Sequence, residues 1–275
     1  MSHTSRSYLS RTLFDLPFFA TSRADALKFI RSAMGDKELL TIATPNPEQI
    51  VQAQRDSAFK KTLQEFELFL PDGQGIIWAS KILGKPLEER LTGIDILSEL
   101  LKVIKKEGLT VLIVGGKDLV VSEKFPPKAD QPRAGQVASD QTNERFTRIE
   151  VQNTQLYWYR DFDKQNALDT TNVLSWIEQN HPEIVFVALG APHQEEWVIA
   201  YRNMLQKAGV KVVMVVGGAF DVLTGKMHRA PELIQKLGFE WSWRLLQQPW
   251  RWRRQLRLVE FVQLVVTQLG QKSSK

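Results

Sequence analysis

The chain has 275 residues, a formal net charge of +5 and no cysteine, with 43% hydrophobic and 24% charged residues. This length suits a full α/β core, and the composition is that of a globular protein. The absence of cysteine excludes disulfides, thiolate metal sites and cysteine nucleophiles. No apolar run is long enough for a secretory signal or a membrane span, so we expect a cytoplasmic protein.

Continuous apolar runs rich in β-branched residues predict buried strands. These runs occupy residues 39–44, 68–70, 109–114, 184–189 and 210–216. Helical patterns lie between them, at residues 75–83, 94–105, 170–179 and 194–207. A further helix is expected after Asn46, because asparagine followed by proline is typical of a helix start. The alternation predicts a doubly wound, mostly parallel, Rossmann-like α/β sheet with a ligand site beyond the carboxyl ends of its strands.

Two segments break this alternation. Residues 117–148 are polar and carry prolines and glutamines, which predicts an irregular insertion, with a strand-like pattern only at residues 146–151. From residue 239 onward tryptophan, arginine and leucine dominate. We therefore interpret residues 1–238 as an α/β catalytic domain and residues 239–275 as a C-terminal, amphipathic helical appendage that associates with a membrane.

The net positive charge belongs to that C-terminal segment. Residues 241–258 contain five arginines and no acidic residue, and five equals the net charge of the whole chain. Arginine binds phosphate through a forked pair of hydrogen bonds, and tryptophan prefers the membrane interface. The composition suits a lipid diphosphate at a bilayer surface. A solvated basic helix or a nucleic-acid patch are alternatives, although the many aliphatic residues after residue 255 favour a membrane.

Polar residues and glycines follow each predicted strand. In a parallel sheet these positions share one edge, where helix N-termini offer amides to phosphate. They comprise Thr44 and Asn46, Asp72, Gly115 and Gly116, Gln194, and Gly217, Gly218 and Asp221. The glycines could equally serve only to turn the chain between strand and helix. No G-x-G-x-x-G or Walker lysine loop is present, which argues against a dinucleotide enzyme or an NTPase.

Asp72 is the most prominent candidate for chemistry. An apolar run ends at this acid, which is flanked by Pro71 and Gly73. This arrangement sets a carboxylate at the exposed end of a buried strand, on backbone that can approach a ligand. A Pro-Asp-Gly run is also an ordinary turn, in which the aspartate bonds nearby amides.

Five short motifs together resemble one family. They are Thr44-Pro45-Asn46, Pro71-Asp72-Gly73-x-Gly75, Glu89-Arg90-x-Thr92-Gly93-x-Asp95, Gly190-x-Pro192-x-Gln194-Glu195 and Gly217-Gly218-Ala219-Phe220-Asp221. In this order and spacing the chain resembles the WecG/TagA/CpsF glycosyltransferases over residues 39–116 and 184–258. The segment 118–161 departs from the family pattern, which usually continues with a helix and another strand.

The resemblance implies an inverting glycosyltransferase of bacterial surface-polysaccharide or teichoic-acid-type synthesis. It would transfer an N-acetylhexosamine such as N-acetylmannosamine from a UDP donor to a polyprenyl-diphosphate-linked sugar, without a bound metal or other cofactor. The enzyme would work peripherally at the inner face of the cell membrane. The alternatives are a protein that binds nucleotide sugars or lipid diphosphates without catalysis, and a basic nucleic-acid binder.

The resemblance also implies roles for individual residues. Asp72 would be the general base that takes the proton of the acceptor hydroxyl. The other implied positions are Thr44 and Asn46 for the sugars, Arg90 for phosphate, Gln194 for hydrogen bonding in the cleft, and Arg244, Arg251 and Arg254 for the leaving group or the lipid diphosphate. Arg90 could instead be a surface ion-pair partner of Glu88 or Glu89. Asp221 could contact uridine or ribose, or only cap a turn.

Other candidates are given structural interpretations. Asp95 follows Gly93 at a predicted helix start, where an acid complements the helix dipole. His193 and His228 lack a paired acid or a ligand-like spacing, so we do not predict metal binding. The D-x-D run 161–163 could hold a metal with a diphosphate, but it lies beside the irregular segment rather than at a predicted strand end, and we do not assign it.

Overall fold

The computed structural model describes residues 7–116, 145–223, 227–236, 238–249 and 252–273. The strands of this part of the chain form a single nine-stranded sheet. They are Ser10–Leu13 (β1), Leu16–Phe19 (β2), Leu40–Ala43 (β3), Leu68–Phe69 (β4), Val111–Gly115 (β5), Phe146–Val151 (β6), Thr154–Tyr159 (β7), Ile184–Ala188 (β8) and Val212–Val215 (β9).

The sheet is mostly parallel, as predicted. Its strand order is β1-β2-β4-β3-β9-β8-β5-β7-β6. Every neighbouring pair from β2 to β7 is parallel, and only the edge strands β1 and β6 run antiparallel to their neighbours. The carboxyl ends of β4, β3, β9, β8 and β5 therefore lie side by side at one edge.

The helices connect these strands and cover the sheet. They are Arg23–Met34 (α1), Pro47–Arg55 (α2), Ser57–Gln64 (α3), Gln74–Ile82 (α4), Gly93–Glu107 (α5), Ala167–Asn180 (α6), His193–Lys207 (α7), Ala219–Leu223 (α8), Glu232–Lys236 (α9), Glu240–Gln247 (α10) and Trp252–Ser273 (α11). Successive residues of β9 point to opposite sides. Val213 and Val215 enter one hydrophobic core, whereas Val212 and Met214 enter another. Both faces of the sheet are thus buried, which explains the continuous apolar runs.

Two helices that position the cleft begin at side-chain caps. Asn46 accepts a hydrogen bond from the backbone N–H of Gln49, whose own side chain accepts from the backbone N–H of Asn46. This reciprocal capping box fixes the start of α2, as the Asn-Pro signal predicted. Thr92 caps α5 through its side-chain oxygen, which accepts a hydrogen bond from the backbone N–H of Asp95.

Several elements were not predicted from the sequence. These are the hairpin β1–β2, strand β7 and helices α1, α3, α8 and α9. The hairpin turn places Phe14 at φ 54° and Asp15 at φ 65°. Residues with side chains rarely adopt this left-handed conformation, and the turn lacks the glycine that usually marks it. Phe14 is 2% exposed and packs against Phe261 with ring centroids 5.3 Å apart and the ring planes tilted by 53°, so its packing stabilises the turn.

The C-terminal helix α11 packs on the α/β core. Its residues Phe261 and Val265 are 4% and 6% exposed and belong to the core that contains α2. In the described ranges, no helix is both long and apolar enough to cross a membrane. The division at residue 238 stays a prediction.

The predicted insertion falls mainly outside the described residues. Residues 117–144 lie outside them, whereas residues 146–148 form the first half of β6. The strand-like pattern predicted at residues 146–151 is confirmed, because these residues form β6, and Phe146, Ile149 and Val151 pack against β7 and the core.

Candidate active site

The candidate site lies at the carboxyl edge of five adjacent parallel strands. In sheet order, β4 leads to Asp72, β3 to Thr44 and Asn46, β9 to Gly217 and Gly218, β8 to Gln194, and β5 to Gly116. The structure thus brings together residues that are up to 174 positions apart in the chain, from Thr44 to Gly218. This edge is where open α/β sheets bind their ligands.

Asp72 is held at this edge by the backbone on both sides of it. The N–H of Leu70 donates to the carbonyl of Ala43 at 2.9 Å, and the N–H of Leu91 donates to the carbonyl of Pro71 at 3.0 Å. Gly73 follows at φ 95°, a conformation that favours glycine. The Asp72 side chain is partly exposed. The Pro-Asp-Gly turn therefore presents a carboxylate between the ends of β3 and β4.

The turn packs closely against the start of α2. A Cβ placed at Gly75 would lie 2.9 Å from Cγ of Pro47, and one at Gly73 would lie 3.2 Å from its Cδ. Both glycines are therefore required by the approach of Pro47, and not only by the turn itself. Asn46 stands next to that proline, and its side-chain oxygen is engaged in capping α2. Asp72 and Asn46 consequently border the same part of the cleft.

Thr44 lies where β3, β9 and the start of α5 meet. Its hydroxyl oxygen is 3.5 Å from the carbonyl oxygen of Val215. A Cβ at Gly93 would lie 3.4 Å from that hydroxyl oxygen and 3.9 Å from Cβ of Ala219. The N-terminus of α5 therefore packs against Thr44, whose side chain is partly exposed.

Gln194 is more buried than its predicted role requires. It is 4% exposed, its side-chain oxygen accepts from the N–H of Gly190 at 3.2 Å, and its nitrogen donates to Glu195 at 2.9 Å. The position of a Cβ on Gly217 is 3.8 Å from the Gln194 oxygen, so the Gln194 side chain packs against the glycine turn. Its contact with a substrate stays a prediction.

Glu195 lies in the region of the site, and no role was predicted for it from the sequence. Its side chain is fully buried, and Oε1 accepts hydrogen bonds from Gln49 at 3.0 Å and from Gln194 at 2.9 Å. Oε2 has no hydrogen-bond partner among the described residues. Burial raises the pKa of Glu195 to about 7, against the lowering effect of the hydrogen bonds. The sequence signal that could have indicated this burial is the position of Glu195 three residues before Val198, on the buried face of α7.

Arg90 is engaged in an ion pair, although not with the neighbours considered from the sequence. Its Nη1 lies 2.6 Å from Oε2 of Glu240, the first residue of α10. Because the N–H of Leu91 donates to the carbonyl of Pro71, the backbone at Arg90 lies beside the backbone at Asp72. The contact of Arg90 with phosphate stays a prediction.

Gly217 and Gly218 form the turn from β9 into α8, and Asp221 lies within α8. Gly217 adopts φ 48°, and the carbonyl of Asp221 accepts the N–H of Met227 at 3.0 Å. Asp221 is partly exposed. The side chains of Arg244 and Arg254 and the whole of Arg251 lie outside the described residues, so their predicted role over the cleft is not tested.

The structure offers no evident metal site in its described part. Across the described ranges, no three histidine, aspartate or glutamate side chains lie close enough to hold an ion together. His193 is paired with Glu196 at 3.4 Å on the exposed side of α7. The D-x-D run lies at a strand end, contrary to the prediction, because Asp161 follows the carboxyl end of β7. Asp163 nevertheless serves a local turn, in which its backbone N–H donates to Asp169.

The fold and the site together define an α/β protein with polar residues gathered at the carboxyl edge of a parallel sheet. The chain belongs to the WecG/TagA/CpsF family of glycosyl transferases, whose family model matches residues 11–275. The resemblance, which five motifs indicated over residues 39–116 and 184–258, thus extends over nearly the whole chain.

Three similar proteins share one name, N-acetylglucosaminyldiphosphoundecaprenol N-acetyl-beta-D-mannosaminyltransferase. A protein of this name from Bacillus subtilis (strain 168) is 29% identical over 96% of this chain and 94% of its own length. One from Bacillus spizizenii (strain ATCC 23059 / NRRL B-14472 / W23) is 31% identical over 82% of this chain and 78% of its own. One from Staphylococcus aureus (strain MRSA252) is 30% identical over 75% and 72%.

Proposed function

We propose that this protein is an inverting N-acetylmannosaminyltransferase. It takes the sugar from a UDP donor and transfers it to N-acetylglucosamine carried on a polyprenyl diphosphate. The names of the relatives supply the sugar and the acceptor. The observation that carries the proposal is the convergence of Asp72, Thr44 and Asn46 at one edge of the sheet, in a chain of this family.

Asp72 acts as the general base in this proposal. Its carboxylate takes the proton of the acceptor hydroxyl while that oxygen attacks the anomeric carbon of the donor sugar. The bond from this carbon to the phosphate oxygen breaks, and UDP leaves with the electron pair. Attack from the face opposite the leaving group inverts the configuration. Arg90 and the arginines at 244, 251 and 254 stabilise the negative charge of the diphosphate.

The C-terminal helix brings the enzyme to its lipid-linked acceptor. The face of α11 opposite Phe261 carries apolar side chains that are each at least 39% exposed: Trp252, Leu256, Val259, Val262, Val266 and Leu269. Their spacing of three and four residues places them on one side of the helix. A helix of this kind lies in the plane of the interface with its apolar face among the lipid chains. We therefore propose peripheral attachment to the inner face of the cell membrane.

The catalytic proposal is tested by replacing the base. Asp72→Asn keeps the size of the side chain but cannot accept the proton, so we expect transfer to fall at least about 100-fold while UDP binding persists. Product formation from UDP-N-acetylmannosamine and a short-chain prenyl-diphosphate-linked N-acetylglucosamine measures the effect, with and without a chelator. Asp15→Asn is the matched control, because Asp15 is an exposed turn residue paired with Lys60. Equal activity of both variants would refute the role of Asp72.

The membrane proposal is tested on the exposed face of α11. The double substitution of Val259 and Val266 by aspartate puts two charges on that face without touching the core, and it should release the protein from anionic liposomes. In the control variant, Thr267 and Gln271, which are exposed and polar, are replaced by aspartate instead. Removal of all residues after 238 should also release the protein, but it also removes Phe261 from the core. Unchanged co-sedimentation of the valine variant would contradict the proposal.

A further inference from the structure

A cluster of alternating charges borders the Asp72 turn. The carboxylate of Glu240 lies between two guanidinium groups, with Oε2 2.6 Å from Nη1 of Arg90 and Oε1 3.7 Å from Nε of Arg229. Arg229 in turn binds Asp95 at 2.6 Å through Nη2. Arg23 lies 3.6 Å from the same aspartate. The cluster joins the C-terminal segment to the start of α5 and to the loop that carries Arg90.

This cluster is next to the proposed base. Leu91, the neighbour of Arg90, donates its N–H to Pro71, the neighbour of Asp72. Gly238, two residues before Glu240, is packed against the first residue of α4, because a Cβ at Gly238 would lie 2.9 Å from Cβ of Gln74. The segment that carries Glu240 therefore lies beside the Asp72 turn.

Asp95 prepares Arg229 for an anion. Burial acts to raise the pKa of Asp95, but the hydrogen bonds from Thr92 and Arg229 and the charges of Arg229 and Arg23 outweigh it, so this pKa lies below its ordinary value. The ionised carboxylate orients the Arg229 guanidinium group through Nη2. Nε of Arg229 is buried and has no hydrogen-bond partner among the described residues. A donor of this kind is costly to leave unsatisfied.

We propose that Arg90 and Arg229 form a diphosphate-binding subsite that the Glu240 carboxylate closes and that a diphosphate opens by taking its place. Two guanidinium groups around one carboxylate have the chemistry that arginine uses for phosphate, with forked, charge-assisted hydrogen bonds. A diphosphate carries more charge and more acceptor oxygens than a carboxylate, and it can also reach Nε of Arg229. The inference rests on the proposed function for the source of the diphosphate, either UDP or the lipid.

The displacement would loosen the C-terminal segment. Glu240 is the first residue of α10, which leads through residue 247 towards α11. Loss of its contacts with two arginines removes the ion pairs that tie this helix to the α/β core. Binding of the diphosphate is thereby coupled to the position of the segment that we propose to attach to the membrane.

Glu240→Gln tests the competition directly. The amide keeps the size of the side chain and removes the charge, so inorganic diphosphate should bind roughly fivefold more tightly in isothermal titration calorimetry, the range expected for loss of one partly exposed ion pair. Glu260→Gln is the matched control, because it removes the same charge from the same segment and its carboxylate pairs with Arg55 at 2.7 Å. Equal affinities of the two variants, or weaker binding to Glu240→Gln, would overturn the inference.

A second variant isolates Arg229. Arg229→Gln should weaken diphosphate binding several-fold, and the gain from Glu240→Gln should shrink when both substitutions are combined. Titrations with UDP and with farnesyl diphosphate then distinguish the two sources, since only the ligand that uses this subsite gains affinity in Glu240→Gln. If neither ligand gains, the subsite does not exist.

The unmodified protein provides a measurement that does not depend on the folding of a variant. Hydrogen exchange of the backbone amides at residues 238–243 should accelerate when diphosphate is added, and unchanged or slower exchange would contradict the displacement of Glu240. Sugar transfer by the unmodified protein is measured separately. If the unmodified protein transfers the sugar but Glu240→Gln does not bind diphosphate more tightly, only this inference is refuted. If Glu240→Gln binds diphosphate more tightly but the unmodified protein transfers no sugar, only the proposed enzymatic function is refuted.

Discussion

The buried carboxyl group of Glu195 makes the stability of this protein depend on pH in a defined direction. The pKa of this group lies near 4.5 in an unfolded chain, and burial raises it to about 7 in the folded protein. Between these values the folded state holds a proton that the unfolded state has released. Raising the pH through this window therefore favours unfolding, and the stabilisation present below pH 4.5 is lost above about pH 7.

The magnitude follows from the width of the window. One pH unit corresponds to about 1.4 kcal/mol, so the interval from 4.5 to about 7 is worth about 3 kcal/mol. Glu195→Gln removes the titration and keeps an oxygen that can accept from Gln49 and Gln194. We expect the unfolding free energy of the natural protein, minus that of the variant, to fall by about 3 kcal/mol between pH 4.5 and pH 8.

Urea unfolding at several pH values measures this difference, and the other titrating groups cancel between the two proteins. Glu196→Gln is the matched control, because Glu196 is the next residue along the chain and its side chain is 50% exposed. Its difference from the natural protein should stay within about 0.5 kcal/mol over the same range. A difference for Glu195→Gln that is equally flat would refute the reasoning from burial.

Three further predictions concern the fold around the site. Asn46→Ala removes the cap of α2 and should lower the unfolding free energy by about 1 kcal/mol, seen as a lower melting temperature; an unchanged melt would contradict the capping argument. Gly75→Ala puts a Cβ 2.9 Å from Pro47 and should destabilise the protein by about 1–3 kcal/mol in urea unfolding, unless the turn can shift freely. Phe261→Ala should cost about 3–5 kcal/mol because the ring is buried, whereas the exposed Leu256→Ala on the same helix should change stability by less than about 0.5 kcal/mol.

Much of the parallel sheet could be predicted because its strands are buried on both faces. A strand such as β8 is apolar at every position. Between two predicted helices, a short run of this kind is best explained as a strand buried on both faces. Asn46-Pro47 also predicted a helix start correctly, since the capping box is formed by residues within one turn. Signals that depend only on neighbouring residues were therefore dependable.

Other elements could not be predicted in the same way. Strand β7 reads Thr154 to Tyr159 with alternating burial at its start, and it lies inside the sheet between the edge strand β6 and β5, to which it pairs across more than 40 residues of chain. The turn at Phe14 and Asp15 has no glycine, and its conformation is stabilised by the contact between Phe14 and Phe261. Such pairings and contacts bring together distant parts of the chain, so no local pattern announces them.

The candidate site shows the same difference between local sequence signals and long-range contacts. The sequence by itself determined which residue types follow each strand, and the motif order around Asp72 indicated the family. Only the tertiary structure decided that Glu195 is buried beneath the cleft and that Glu240 reaches Arg90 across 150 positions. The physical reason is that the pKa of a carboxyl group and the availability of a guanidinium group depend on burial and on charges a few ångströms away in space. Distance along the chain does not specify these surroundings, whereas the packing of α7 and α10 does.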